Sequence, residues 1–505
     1  EDSVYRLYYD FPQALSRLQG HQILAVNRGE KEGFLKVRVE LDRDRALQAV
    51  RRHVIVPGSA AMEFIKSAAE DAYDRLIFPA LEREARSDLT ERADEGAIGQ
   101  FALNLKPLLM QPPVKGKVTM GLDPGYRMGC KVAVVDGTGK VLDTAVVYPT
   151  YGQRQKEEAI TTLARLIRKH GVEHIAIGNG TASRETEAMT VELLKSFPEA
   201  SYMIVSEAGA SVYSASPLAA EEFPDYDVNL RSAVSIARRL QNPLAELVKI
   251  DPKSIGVGQY QHSVDQAKLR ARLGDVVESC VNRVGVNINT ASKHILTYIS
   301  GLGPALAENI VAYRAANGDF RTRSELKKVP RLGAKAFEQA AGFLRIVGGR
   351  NPLDNSAVHP ESYPIVERMA ADAGVSVERL LADRELRRTI RPERYVTAQA
   401  GLPTVTDILE ALDKRGLDPR EELHTFAFAP DVRTIDDLRE GMTLPGIVTN
   451  ITAFGAFVDI GIKQDGLVHV SQLADRYVAS PAEVVRLGQH VEVRVTGIDT
   501  RPGPH

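Results

Sequence analysis

Two cysteines are all that the 505 residues contain, and Cys130 and Cys280 lie far apart with no Cys-x-x-Cys spacing. That argues against both a disulfide framework and a cysteine zinc site, and it leaves the two thiols as small core residues. No apolar run approaches the ~20 residues needed to span a bilayer. The N-terminus carries no charged-then-apolar signal pattern. The chain therefore reads as cytoplasmic, with no membrane partner. An excess of one charge is missing as well: 64 Lys and Arg against 66 Asp and Glu leave a formal net of −2. Any charged partner must therefore be met by a local concentration. At roughly 150 residues per domain, this length implies about three or four domains. The chain opens on Glu1 without a methionine and stops at Arg501–His505 while a strand pattern is still running, so we expect it to be part of a longer protein.

The local concentration lies between Asn287 and Phe343. Two short hairpins, Gly301-Leu302-Gly303 and Arg331-Leu332-Gly333, sit between helix-like segments whose apolar residues (Ile295, Leu296, Ile299, then Ala307, Ile310, Val311) recur at helical spacing. Each reads as helix, tight turn, helix. The second helix of such a pair starts with unpaired N–H groups and the positive end of its dipole, an anion site that glycine leaves open to phosphate. Over Lys293–Arg350 there are ten Lys/Arg and four Asp/Glu, a local net of 10 − 4 = +6. Gly301, Gly303, Gly333, Lys327, Lys328 and Lys335 are the candidate phosphate contacts. The plainer alternative is that paired glycine hairpins only pack helices together. With its Asn-Ile-Asn-Thr-Ala opening and its Tyr313-Arg314 to Gly318-Asp319-Phe320 link, the segment resembles the tandem helix-hairpin-helix module of DNA-uptake and repair proteins. The resemblance implies nucleic acid.

From Lys117 to Val147 the pattern is three consecutive strands with short connections. A helix at Gln155–His170 follows, then a buried strand at His174–Gly178, a helix at Arg184–Phe197 and a strand at Tyr202–Ser206. This βββαβαβα order, with Asp123 closing the first strand, resembles the RNase H-like fold in its YqgF form, related to Holliday-junction resolvases. The resemblance implies carboxylates at strand ends holding Mg²⁺ for phosphodiester cleavage. Asp123 matches the first such position, Glu207 follows the fifth strand, and Asp227 opens a helix. Where a resolvase places a glutamate at the end of the fourth strand, this chain has Gly178-Asn179-Gly180-Thr181. We therefore expect no cleavage, no resident metal and no cofactor, with Mg²⁺ only if the domain is a nuclease after all. The acids then act as helix caps or first-turn residues, and Asn179 and Thr181 as phosphate or ribose contacts.

Residues 1–115 read as a helical scaffold with short strands, at His21–Val26 and Gly33–Val39, and a long helical stretch from Ala60 to Leu109. Residues 244–286 read as a helical connection, and 351–432 as mixed helices with a loop at Pro430. From Gly441 onward, strand-period segments with glycine turns suggest a small barrel. Phe454-Gly-Ala-Phe457-Val-Asp and Gly466-Leu-Val-His469-Val-Ser resemble the ribosomal protein S1 repeat, an OB-fold that binds single-stranded RNA. Phe454, Phe457 and His469 are its candidate contacts. Residues 437–505 hold six Lys/Arg and eight Asp/Glu, a net of 6 − 8 = −2, so ring stacking must carry much of any grip there.

Scaffold, YqgF-like domain (117–243), tandem hairpins (287–350) and terminal OB repeat, in that order, resemble the bacterial Tex transcription accessory protein family and, more distantly, a eukaryotic elongation factor. The expected fold class is a multidomain, mostly α chain with an α/β RNase H-like domain and a C-terminal all-β OB-fold barrel. The expected function is a nucleic-acid-binding transcription accessory factor that engages single-stranded RNA and/or DNA near the transcription machinery. The alternative is a metal-dependent nuclease of the resolvase type.

Overall fold

The computed structural model describes residues 3–256, 258, 260–415, 418–420, 428–429, 431–432, 434–462 and 464–499; the Pro430 loop and the Arg501–His505 tail fall outside them. Two compact units emerge, one from the described residues of Glu1–Leu103, Val257–Arg272 and Ile498–His505, the other from Asn104–Gly256 and Leu273–Gly497.

The first unit is helical: α1 (Gly20–Lys31), α2 (Arg43–Val54), α3 (Met62–Ala72) and the long α4 (Phe78–Leu109), with one π-turn at Tyr73–Ile77. The helical reading from Ala60 to Leu109 thus matches, but the two strand readings do not. His21–Val26 lies inside α1, where the consecutive residues Ile23, Leu24 and Ala25 are all buried; six residues of alternation cannot separate period 2 from a helix face. At Gly33–Val39 no strand forms, and the Val39 N–H is taken by Glu82 Oε2 at 2.7 Å instead of by a neighbouring strand. Extended propensity without a partner gives no ladder.

The second unit begins with a sheet of β1 (Thr119–Asp123), β2 (Cys130–Val135), β3 (Val141–Val147), β4 (His174–Gly178) and β5 (Ser201–Val205), in the order β3-β2-β1-β4-β5. The first three strands are antiparallel, while β1, β4 and β5 run parallel. Their C-terminal ends therefore meet at one edge. Strand β2 is buried along its whole length, as a central strand covered on both faces should be. Helix α5 (Gln153–His170) buries Ala159, Leu163, Leu166 and Ile167 on one stripe, and it stops where Gly171 takes φ 65°. After α6 (Ser183–Leu194), α7 (Ala210–Ser214) and α8 (Pro217–Glu222), α9 (Val228–Gln241) crosses the sheet. It lies so close that a Cβ on Gly121 of β1 would strike the Ala233 carbonyl.

After α10 (Pro243–Leu247), α11 (Gln266–Val284) leads into the hairpin module: β6 (Val286–Asn287), α12 (Lys293–Thr297), α13 (Pro304–Asn317), α14 (Ala334–Ala340) and β7 (Leu344–Arg345). Strands β6 and β7 pair in parallel and tie its ends together. Asn289, in the opening motif, brackets Phe320: its Nδ2 donates to the Phe320 carbonyl at 2.9 Å and its Oδ1 accepts the Phe320 N–H at 2.8 Å. The two motifs that stood out in the sequence are thus one hydrogen-bonded joint.

A four-helix cluster follows: α15 (Tyr363–Asp372), α16 (Val377–Ala382), α17 (Arg384–Arg388) and α18 (Leu402–Asp413), around Val366, Met369, Leu380 and Val405. The chain then forms β8 (Thr443–Thr452), β9 (Gly455–Asp459), β10 (Gly466–His469) and β11 (His490–Arg494), an antiparallel sheet in the order β10-β9-β8-β11. The fold class is as expected. Arg184 of α6 donates to the Val432 carbonyl at 2.6 Å, its guanidinium 5.7 Å from the centre of the Phe428 ring. Arg420 reaches Asn242 Oδ1 at 2.8 Å.

Candidate nucleic-acid interface

In the hairpins, left-handed backbone comes first and an open helix start follows. Gly301 (φ 82°) and Arg331 (φ 65°) occupy the same position in the two turns. At Gly301 a side chain would also press on Gln339, so glycine there is structural. Gly303 and Gly333 precede α13 and α14 as N-cap residues with no capping side chain, and nothing stands within 4 Å of where a Cβ would be. The helix starts are therefore accessible to a ligand from those sides. Arg331 joins the candidate contacts. A bulky residue held left-handed costs on the order of 1 kcal/mol or more, and its side chain is exposed. The clue was available in the sequence, since aligning the two hairpins puts Arg331 opposite Gly301.

The structure reduces the local charge that a partner meets. Arg323 is fully buried, donating to the carbonyls of Leu344 (2.9 Å), Val358 (2.6 Å) and Ser356. Arg345, which donates to the Gly342 carbonyl at 2.5 Å, is largely desolvated, and its pKa falls to about 10. Arg314 is tied to the Ile288 carbonyl at 2.7 Å. These three arginines hold the module together. Lys327, Lys328, Arg331 and Lys335 are exposed, with Lys327 Nζ 4.7 Å from the centre of the Phe337 ring.

In the C-terminal sheet, Ala456 and Val458 point into a core shared with Val448 and Ile451. Phe457, between them, is only half-buried, and Phe454 in the preceding turn is 43% exposed. Their rings stand edge to face, 6.2 Å apart at 84°. Neither belongs to the core. Phe457 pairs across the sheet with the exposed Leu467. His469 is exposed, its Nδ1 held by Ser471 Oγ at 2.9 Å.

At the edge where β1, β4 and β5 end, two of the three acids meet. Asp123 and Glu207 line a cleft of about 280 Å³ together with Ser211, Ser214, Asn229 and Ser232. Burial, reinforced by the Glu207 carboxyl, pushes Asp123 up to about 7, with Lys131 opposing. Glu207 is raised too, mainly by burial. Two carboxyls in one desolvated site favour a shared proton. Asp227 is elsewhere: it is exposed and caps α9, accepting the Leu230 N–H at 2.8 Å, while α9 turns Asn229 and Ser232 to the cleft.

The missing glutamate of the fourth strand now has a physical reason. A Cβ on either Gly178 or Gly180 would collide with the Glu207 carboxylate, so the acid reaching over from β5 fills the space at the end of β4. Asn179 Oδ1 accepts the Glu207 N–H at 2.9 Å, which fixes that segment. Arg239 Nη1 steadies it from below through the carbonyls of Ser206 (2.8 Å) and Ala208 (2.7 Å). A two-metal clamp needs more oxygen ligands than one partly protonated pair. Among the described residues no group of three acids, histidines or cysteines converges to hold an ion. The donors that the cleft does offer are the two carboxyls and the neutral side chains of Ser211, Ser214, Asn229 and Ser232.

Models of known families match successive parts of the chain: Tex central region-like at 1–101, Tex protein YqgF-like domain at 117–241, helix-hairpin-helix motif at 281–345, HHH domain at 351–420 and S1 RNA binding domain at 437–503. "Uncharacterized protein YdcI" of Bacillus subtilis is 48% identical over 100% of this chain and 71% of its own length. The chain belongs to the Tex family. "Protein tex" of Bordetella pertussis is 52% identical over 98% of this chain, and "Transcriptional accessory protein Tex" of Neisseria gonorrhoeae is 52% identical over 97%. The chain spans 65% and 66% of those two proteins, a little under two thirds. Within this Tex chain, α15–α18 fall in the HHH domain match, a relationship that their short, turn-rich sequence did not disclose. No helix among the described residues is long and apolar enough to cross a membrane.

Proposed function

We propose that this Tex-family chain is a cytoplasmic, nucleic-acid-binding accessory factor of transcription. It engages single-stranded RNA and/or DNA at two places, and its RNase H-like domain does not cut. The observation that carries the reading is the open edge of the hairpin module, where Gly303 and Gly333 leave two helix starts uncovered beside the exposed Lys327, Lys328, Arg331 and Lys335. Backbone N–H groups and cations at one edge suit phosphates and carry no base code. Phe454 and Phe457 offer the second place, where bases stack, with His469 alongside. The relatives named for transcription support the cellular role. The reading needs no cofactor.

The test is affinity for single-stranded RNA, single-stranded DNA and duplex DNA across a salt series. We expect a steep log–log slope with little dependence on sequence; a flat slope overturns the phosphate grip. The Asp123–Glu207 cleft is the one feature that favours a nuclease. Metal-stimulated cutting of branched DNA or RNA, lost in both Asp123→Ala and Glu207→Ala while circular dichroism shows both folded, would establish that second reading.

A further inference from the structure

The sheet edge that carries Asp123 and Glu207 has another feature, which neither the hairpins nor the S1 domain explains. Four large side chains stand exposed there: Tyr126 (44%) and Met128 (65%) in the loop between β1 and β2, and Tyr148 (43%) and Tyr151 (52%) after β3. Strand register fixes the place. Asp123 lies opposite Lys131 and Cys130 opposite Val147, so the loop and the turn leave the sheet at the same edge. Scattered exposed rings need no explanation, but a cluster does.

The rings are held in place. Tyr126 Oη donates to Glu185 Oε1 at 2.7 Å, and Tyr151 Oη donates to the Arg127 carbonyl at 2.5 Å. Tyr148 lies where a Cβ on Gly129 would touch its ring, and it stands edge-on to Tyr151 at 5.3 Å and 81°. Two of the three hydroxyls are thus satisfied within the protein while ring surface remains exposed. The guanidinium of Arg127, in the same loop, is exposed and has no ion pair among the described residues.

We propose that this patch is a further stacking surface for single-stranded nucleic acid, with bases against Tyr126, Tyr148 and Tyr151 and a phosphate on Arg127. It rests on the nucleic-acid reading above and extends it to the RNase H-like domain. Rings fixed by their own hydrogen bonds lose little freedom when a base stacks on them, and stacking accepts any base. An unpaired guanidinium beside them complements phosphate.

The test uses the whole 505-residue chain and a fluorescent oligo(U) containing 4-thiouridine. Cross-links mapped by mass spectrometry are expected within residues 124–151 and to persist in Phe454→Ala/Phe457→Ala. Tyr126→Ala/Tyr148→Ala/Tyr151→Ala is expected to weaken oligo(U) binding by about tenfold or more, the scale of a lost stacked base. Arg127→Glu, which disturbs no packing, is expected to weaken it severalfold. Tyr148→Phe, which keeps the ring, is expected to bind as the parent does. If Arg127→Glu and a triple variant with unchanged melting bind like the parent and residues 124–151 give no cross-link, the inference is wrong, and the patch belongs to another class of partner. In that case salt-dependent binding by the parent leaves the proposed function standing; a parent that binds no oligo(U) removes both.

Discussion

The hairpin module and the S1 sheet offer one kind of polymer two unlike surfaces. The hairpins present exposed cations and uncovered helix starts on a segment whose formal net is 10 − 4 = +6. The S1 region carries 6 − 8 = −2 and presents two phenylalanines outside its core. One surface suits the phosphate chain and weakens with salt; the other suits base faces, and salt barely touches it. On the proposed reading, a single chain holding both would keep a grip over a wider range of ionic strength than either surface gives alone.

The comparison breaks most visibly at the rings. Phe454→Ala/Phe457→Ala removes two stacking partners at about 1–3 kcal/mol each, so affinity for single-stranded RNA should fall by roughly two orders of magnitude with the salt slope unchanged. Because both rings lie outside the core, thermal melts should stay near those of the parent. Parent-like affinity in a folded double variant would remove the S1 rings as a grip.

The hairpin side is sharpened by reversing charge. Lys327→Glu/Lys328→Glu/Lys335→Glu should lower affinity about tenfold at low salt and reduce the log–log slope by about 2, at roughly 0.7 per phosphate contact on a single strand. An unchanged slope from anisotropy titrations would refute the electrostatic account. Arg331→Gly divides the two demands on that turn: relief of the left-handed backbone should stabilise the fold by about 1 kcal/mol, while loss of the cation weakens binding a few-fold. Its mirror image is Gly301→Ala, which forces φ 82° on alanine and presses on Gln339, and should cost more than about 1 kcal/mol in a denaturant melt.

The smallest effect belongs to the Asp123–Glu207 cleft, which resembles neither surface. Burial and the neighbouring Glu207 carboxyl push Asp123 up to about 7, as one member of a pair that shares a proton, above the ~3.9 of an unfolded aspartate. A raised pKa means that its stability contribution is complete below about pH 4 and is lost as pH climbs through 7. Asp123→Asn should therefore raise the melting temperature at pH 8 by about 2–4 °C and change it little near pH 4. A fall at pH 8 would show the ionised carboxylate to be needed.

Local pattern was enough wherever an element's own residues carry its period or its punctuation. Helix α5 with its stop at Gly171, the buried strand β4 and the two hairpin turns could all be read directly from the sequence, and so could the family resemblance. What the sequence could not decide is which distant groups meet. Nothing near Gly178 in the chain says that Glu207 from another strand would occupy its space, and nothing in the +6 count says that Arg323 turns inward to backbone carbonyls. His21–Val26 shows the same limit at short range, since a six-residue alternation fits a strand or a buried helix face equally, and only neighbours choose. Propensity and periodicity are summed over adjacent residues. The pKa of a carboxyl, the exposure of an arginine and the need for a glycine are set by whatever the fold brings within a few ångströms.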